Sequence, residues 1–273
     1  MNSPLLASLY AVYQIETLPF GIIHDKLGDV YEEYCVRVLS DKEILRNLQE
    51  RKSVDGLDIA VFKELLGTYG INNYCEIKNI SATTQIPHRE THGLSKTDVI
   101  MTIQYSNGIE ERKAISCKQS SVAKVAFAEF DVDTICREVG ISDERLKALL
   151  LKHQTDASAK YMSSDEKQEL RESMAPIARR FVRWVITGSP DENPTNLVYP
   201  TLIIKFNVKK PVGRNIDVKN GDFSLLSFKG YSIEDYLDTI MTKNGKIKSG
   251  GFGTGLSWTY ATGSKGVKIQ FKA

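Results

Sequence analysis

A chain of 273 residues, 41% hydrophobic and 26% charged, has the composition of an ordinary soluble protein and can bury a sizeable core without covalent staples. No apolar run approaches the length of a membrane span and no N-terminal targeting pattern is visible, so a cytoplasmic location is expected. The net charge of +2 hides an asymmetry: residues 201–273 hold 12 Lys or Arg against 5 Asp or Glu, and residues 1–200 hold 24 against 29. A basic C-terminal quarter suits a polyanion as well as it suits a solvated lysine-rich face. Cys35, Cys75, Cys117 and Cys136 lie far apart with no CxxC pair, which argues against zinc and against a disulfide framework.

Leu27, Val30, Tyr31, Tyr34 and Val38 recur at helical spacing and predict a helix over 26–39, with Glu32 and Glu33 off its main apolar stripe. A second helix is predicted over 58–68, and the region around 80–96 reads as loop. Residues 99–105 alternate apolar and polar, Ser106-Asn107-Gly108 supplies a turn, and 113–119 reads as the returning strand of an antiparallel hairpin. Helices are predicted over about 127–138 and 143–153, the latter with Leu146, Leu149 and Leu150 on one face. Ser163 and Glu166 form a capping box ahead of Leu170, Met174, Ile177, Phe181 and Trp184, with Pro176 marking a kink or break. A strongly apolar strand over 201–208, a short helix over 232–242 and a flexible loop over 250–255 lead to two final short strands. The expected fold class is α/β (mixed α+β), in one domain over 1–273: a catalytic part over about 1–190, then a basic C-terminal part over about 191–273.

Asp98 starts one strand of the hairpin and Lys118 lies near the end of the other, so the two side chains can meet. Phosphodiester hydrolysis uses such a meeting: carboxylates hold a hard divalent cation through oxygen, and a lysine stabilises or deprotonates the attacking water. The backbone carbonyl of Cys117 can add a ligand. An acid and a lysine on neighbouring strands are, however, more often a surface ion pair of little consequence.

The segment KTD at 96–98, followed by SCKQSS at 116–121, resembles the PD-(D/E)XK nuclease signature. GDVYEEY (28–34), AEFDVDTIC (128–136), VGISD (139–143), KHQTDASAK (152–160), RFVRW (180–184) and GFGTGLSWTYATGSKGVKIQFK (251–272) resemble the MspI-type restriction endonucleases, in the same order over nearly the whole chain. The resemblance implies a mixed β-sheet flanked by helices. It also implies Mg²⁺-dependent double-strand cleavage of DNA at CCGG, with 5′-phosphates and a short 5′ overhang, alongside a companion methyltransferase that protects host DNA. Asp98 is then the main metal ligand, Lys118 the lysine beside the water, and Glu32 a further carboxylate delivered from the first predicted helix. Ser116 departs from the pattern, which has Asp or Glu in the superfamily and Asn in the near family. A hydroxyl is a poorer ligand for Mg²⁺, so Glu32 and the Cys117 carbonyl are expected to carry a larger share.

By the same resemblance Thr259, Thr262, Gln270 and Lys272 face the major groove, with Lys272 reading guanine. Thr262 replaces a serine but keeps a hydroxyl. Ala126 replaces a serine that meets a base, a contact that Ser121 or Lys124 is expected to supply unless it is lost. Lys265, Lys268, Lys209, Lys210 and Arg214 read as phosphate contacts. Without the resemblance, the tail reads as a frayed basic terminus. Gly251, Gly253 and Gly255 lack the context of a nucleotide loop, and His24, His88, His92 and His153 lack metal spacing. Cys117 reads as a buried strand residue facing away from Lys118. Glu129 and Asp131 are placed on the helix after the motif, without an assigned role. Two other functions stand on the same residues: a structure-directed repair or recombination nuclease, and a DNA-binding module that has lost its metal through Ser116.

Overall fold

Four helices precede any strand: α1 (Pro4–Val12), α2 (Phe20–Leu39), α3 (Lys42–Gln49) and α4 (Leu57–Thr68). Pro4 lies in the first turn of α1, and the Ser3 side chain caps it by accepting from the Leu6 amide. The computed structural model describes residues 3–88, 95–122, 124–211, 217–218 and 221–273. They form two compact units, residues 1–122 with 196–233 and residues 123–195 with 234–273. No described helix is long and apolar enough to cross a membrane.

The first unit is built on a sheet of β1 (Ile77–Thr83), β2 (Val99–Tyr105) and β3 (Glu110–Ser120), completed by two strands from the basic quarter of the chain. These are β5 (Leu202–Val208) and β6 (Leu225–Ser232), and the order is β1-β2-β3-β5-β6. The β3–β5 pair is parallel and the other pairs are antiparallel, so the sheet is mixed. Ile23, Leu27, Val30, Tyr31, Tyr34 and Val38 of α2 are fully buried, each burial worth about 1.5–3 kcal/mol. Tyr31 stacks on Phe206 of β5 with centroids 4.7 Å apart. Its phenol meets that of Tyr10 at 3.1 Å, which in turn donates to the Phe223 carbonyl at 2.9 Å, so neither buried hydroxyl is left unpaired.

β1 overturns part of the expected loop. Residues 80–83 belong to a strand because they pair with Ile100–Ile103 of β2, a tertiary partner that local turn-rich composition does not reveal. The expected helix near 127–138 is likewise divided. Residues 126–130 form β4 (Ala126–Phe130), and the helix α5 (Val132–Val139) begins only after Asp131 caps it through the Thr134 amide. Pairing with the far C-terminus decides the matter, since β4 lies against β10 (Ile269–Lys272), and that against β9 (Ser257–Thr259).

The rest of the second unit is helical: α6 (Glu144–Asp156), α7 (Ser164–Met174), α8 (Ala178–Thr187) and α9 (Ile233–Met241), with a small hairpin of β7 (Thr242–Lys243) and β8 (Lys246–Ile247). The Ser163–Glu166 capping box is present, and Pro176 ends α7 as expected, in a 3₁₀ turn over 175–177. Phe181 of α8 packs edge-on to Phe271 at 5.2 Å, and Phe271 to Trp258 at 5.3 Å, giving the small sheet one aromatic face. The glycine-rich 250–255 segment is a packed turn. A Cβ at Gly251 would lie 2.0 Å from the Leu256 carbonyl oxygen, and one at Gly255 2.1 Å from that of Ile240.

Candidate active site and base-reading face

The pairing of β2 with β3 ends at Val99–Ile115, but β3 continues to Ser120. Among the described residues no strand pairs with that stretch on the β2 side of β3, and Asp98 fills the place. Its amide donates to the Ile115 carbonyl at 2.9 Å, and its carboxylate turns back along β3. Asp98 Oδ2 accepts from Ser116 Oγ at 3.0 Å, from the Cys117 amide at 2.7 Å and from Lys118 Nζ at 3.1 Å. Among the described residues no donor reaches Oδ1. The Asp98 and Lys118 side chains are 18% and 19% exposed, well removed from the fully solvated surface pair that spacing alone suggested.

Glu32 joins them from α2, half-buried. Burial and the Asp98 charge raise its carboxyl to about 7, with Lys118 opposing. A carboxyl whose ionisation is opposed by burial and by a neighbouring carboxylate is of the kind that a hard divalent cation, held through oxygen, relieves. No cluster of three or more His, Cys, Asp or Glu suited to a metal occurs among the described residues.

Ser116 is fully buried and its hydroxyl is directed at Asp98. Cys117 faces the opposite side of the sheet, its thiol 3.5 Å from that of Cys35, and hydrogen bonding to Cys35 together with burial pushes it well above the usual thiol range. All four cysteines are free. Sequence reasoning missed a row of cations: Lys118 lies opposite Lys205 of β5, and Lys205 opposite Lys229 of β6. Burial lowers the Lys205 ammonium. Its position as the one charge in an apolar strand was the available signal.

In the second unit the aromatic face of β4-β10-β9 leaves the opposite face open. Register puts Thr259, Gln270 and Glu129 in one row across it, and Ser257, Lys272 and Ala126 in the next. Thr259, Gln270 and Lys272 are thus brought together. Lys124 reaches the second row, its ammonium hydrogen-bonded to Ser257 Oγ. Thr262 is exposed in a 3₁₀ turn over 262–264. Lys265 lies over the Tyr260 ring at 5.3 Å, and Lys268 is exposed. Ser121 lies in the first unit, at the bend after β3, and Lys209 and Lys210 follow β5. Arg214 and His92 fall outside the described residues.

The tail is not frayed: Val125 and Ala273 exchange both backbone hydrogen bonds, at 2.7 and 3.0 Å. Glu129 is a strand residue and Asp131 a helix cap, not members of a helical face. Glu129 accepts from Gln270 Nε2 at 2.7 Å and from Ser264 Oγ at 3.0 Å.

The family model for restriction endonuclease MspI matches residues 13–273. The chain belongs to this family of restriction endonucleases. It is 35% identical to the type II restriction enzyme MspI of Moraxella sp., with the whole of both chains covered. It is also 26% identical to the type II restriction enzyme BsuFI of Bacillus subtilis, over 92% of this chain and 60% of that one. Among solved structures, restriction endonuclease MspI in complex with its cognate DNA matches with a TM-score of 0.85 at 33% identity, again over the whole of both chains. The mixed sheet with its helices is therefore the restriction-endonuclease fold expected from the resemblance.

Proposed function

We propose that this family member makes Mg²⁺-dependent double-strand cuts in DNA at CCGG, leaving a short 5′ overhang, and that a companion methyltransferase protects the host's own sites. The observation that carries the catalytic part is the Lys118 ammonium at 3.1 Å from an Asp98 oxygen that two further donors also hold. Support for duplex DNA comes from the relative solved with its cognate DNA.

Asp98, Glu32 and the Cys117 carbonyl would hold the cation. Mg²⁺ so placed would neutralise charge on the scissile phosphate and lower the pKa of a bound water. The chain's own residues do the rest. Ser116 Oγ and the Cys117 amide fix the Asp98 carboxylate in one orientation. Lys118 presents a cation where charge develops on the phosphoryl oxygens, in a site largely removed from bulk solvent.

On the open face of the small sheet, Lys272 is suited to guanine, with Gln270 and Thr259 in the adjoining row and Lys124 in the row that Ala126 vacates; Thr262 would add its hydroxyl from the turn after β9. Ser121 is the other candidate for that missing contact. Lys265 and Lys268 are suited to phosphates.

Digesting DNA of known sequence with Mg²⁺ and reading the ends tests this function. Cuts at every C^CGG support it. Nicking or a smear would instead favour a structure-directed nuclease. Specific binding without cleavage in Mg²⁺ or Mn²⁺ would favour a dead binding module.

A further inference from the structure

Gln270 is the least determined of the base-reading candidates, because a side-chain amide can present either a carbonyl or an NH₂ group outward. In a free amide the two ends exchange by a half-turn, and they ask for opposite bases: the carbonyl accepts from an exocyclic amine, the NH₂ donates to an oxygen or ring nitrogen. The partner of Gln270 removes the choice. Glu129, directly opposite it in the β10–β4 register, accepts from Nε2 at 2.7 Å. A carboxylate offers only acceptors, so the NH₂ end must face Glu129 and cannot exchange with Oε1. Glu129 is itself held, since its second oxygen accepts from Ser264 Oγ at 3.0 Å. Among the described residues no donor reaches Gln270 Oε1.

We infer that Glu129 is a positioning residue for sequence recognition: it locks the Gln270 amide so that Oε1 faces outward and reads a base carrying an exocyclic amine in the major groove. Within CCGG that base is cytosine, through N4. Each oxygen of Glu129 already accepts a hydrogen bond within the protein, and its proposed effect on recognition is exerted through Gln270. This inference rests on the open face of the small sheet being the base-reading face.

Glu129→Gln is the informative change, because it keeps the shape and lets the facing amides pair in either orientation. Cleavage by wild type and Glu129→Gln is compared on duplexes that carry CCGG or each single-base-pair replacement, with kcat/KM measured for each and melting temperature as the control for folding. In wild type, replacing the amine-bearing base by one with an acceptor, such as thymine, abolishes cutting. In Glu129→Gln, discrimination at that one base pair falls by about tenfold or more and is retained at the others. Ser264→Ala, which frees only the second oxygen, shifts the same base pair in the same direction by less, and it decides the matter if Glu129→Gln fails to fold. Unchanged discrimination at every position, or an equal loss at all of them, overturns the inference and leaves the proposed function standing. Absence of site-specific cutting by wild type overturns both.

Discussion

The Lys118 ammonium sits 3.1 Å from Asp98 Oδ2, on a carboxylate oxygen that the Ser116 hydroxyl and the Cys117 amide also hold. The lysine is therefore oriented before any substrate arrives. Replacing it with methionine keeps most of the apolar stem and removes the charge. Lys118→Met is expected to lower the single-turnover cleavage rate by about 10²–10³-fold with DNA binding retained. Gel-shift and plasmid-cleavage assays on the same preparation check this, and a variant that cuts at the wild-type rate would remove Lys118 from the chemistry.

Ser116 acts on Asp98 from a fully buried position. Ser116→Ala deletes one of three hydrogen bonds to Oδ2, at a cost of about 1 kcal/mol in stability. With Asp98 less firmly held, the Mg²⁺ concentration for half-maximal cleavage rises by about tenfold, and saturating Mg²⁺ restores the rate. A Mg²⁺ titration of cleavage reads both quantities. A rate that stays low at saturation would give the Ser116 hydroxyl a direct part in the reaction.

Glu32 has a folded-state pKa of about 7 against an ordinary 4.5, raised by burial and by Asp98, with Lys118 opposing and Asp29 adding a little. The folded protein therefore holds more protons than the unfolded chain between pH 4.5 and 7. Its contribution to stability is complete below pH 4.5 and is lost as pH rises through 7. Melting curves of the metal-free protein should show Glu32→Gln gaining on wild type across that window, and Mg²⁺ stabilising wild type more at pH 8 than at pH 5.5. Glu32→Ala should cut slowly even in saturating Mg²⁺. Parallel pH profiles for wild type and Glu32→Gln, or wild-type cleavage by Glu32→Ala, would take Glu32 out of the site.

His153 works in the opposite direction. Enclosed edge-on by Phe252 at 5.8 Å and Trp258 at 5.5 Å, it has a pKa lowered by burial to about 4. Its stabilising contribution is present above pH 6.5 and lost as pH falls towards 4, since only the unfolded chain takes up the proton readily. His153→Leu is expected to flatten the acid side of the melting-temperature profile. An unchanged acid slope would assign it to other groups.

Local signals in the sequence carried a good deal of this. The Ser163–Glu166 box and Pro176 act within a few residues of themselves, and the α2 stripe needs only a periodic pattern, so all three were readable. The meeting of Asp98 and Lys118 was readable because a hairpin brings the ends of its strands together. β4 was not, because what makes 126–130 a strand is pairing with β10 near the other end of the chain. The Glu129–Gln270 hydrogen bond spans the same gap, and Glu32 gained a role in the site only through resemblance, since nothing local distinguishes it from Glu33. The glycines of 250–255 were visible but their reason was not. Gly255, at a φ of +74°, has no room for a side chain, and Gly255→Ala should cost more than about 2 kcal/mol in a melting experiment.

The two departures from the pattern that the resemblance implies fall in different compact units, Ser116 in the first and Ala126 in the second. No described residue partners both, so their consequences are separable. Under the proposed function, the first bears on how firmly a carboxylate is held and the second on how many contacts a base pair receives. Turnover and fidelity are then expected to respond independently, and Ser116→Asn combined with Ala126→Ser should behave as the sum of its parts: the first alters rate at every site, the second alters which sites are cut.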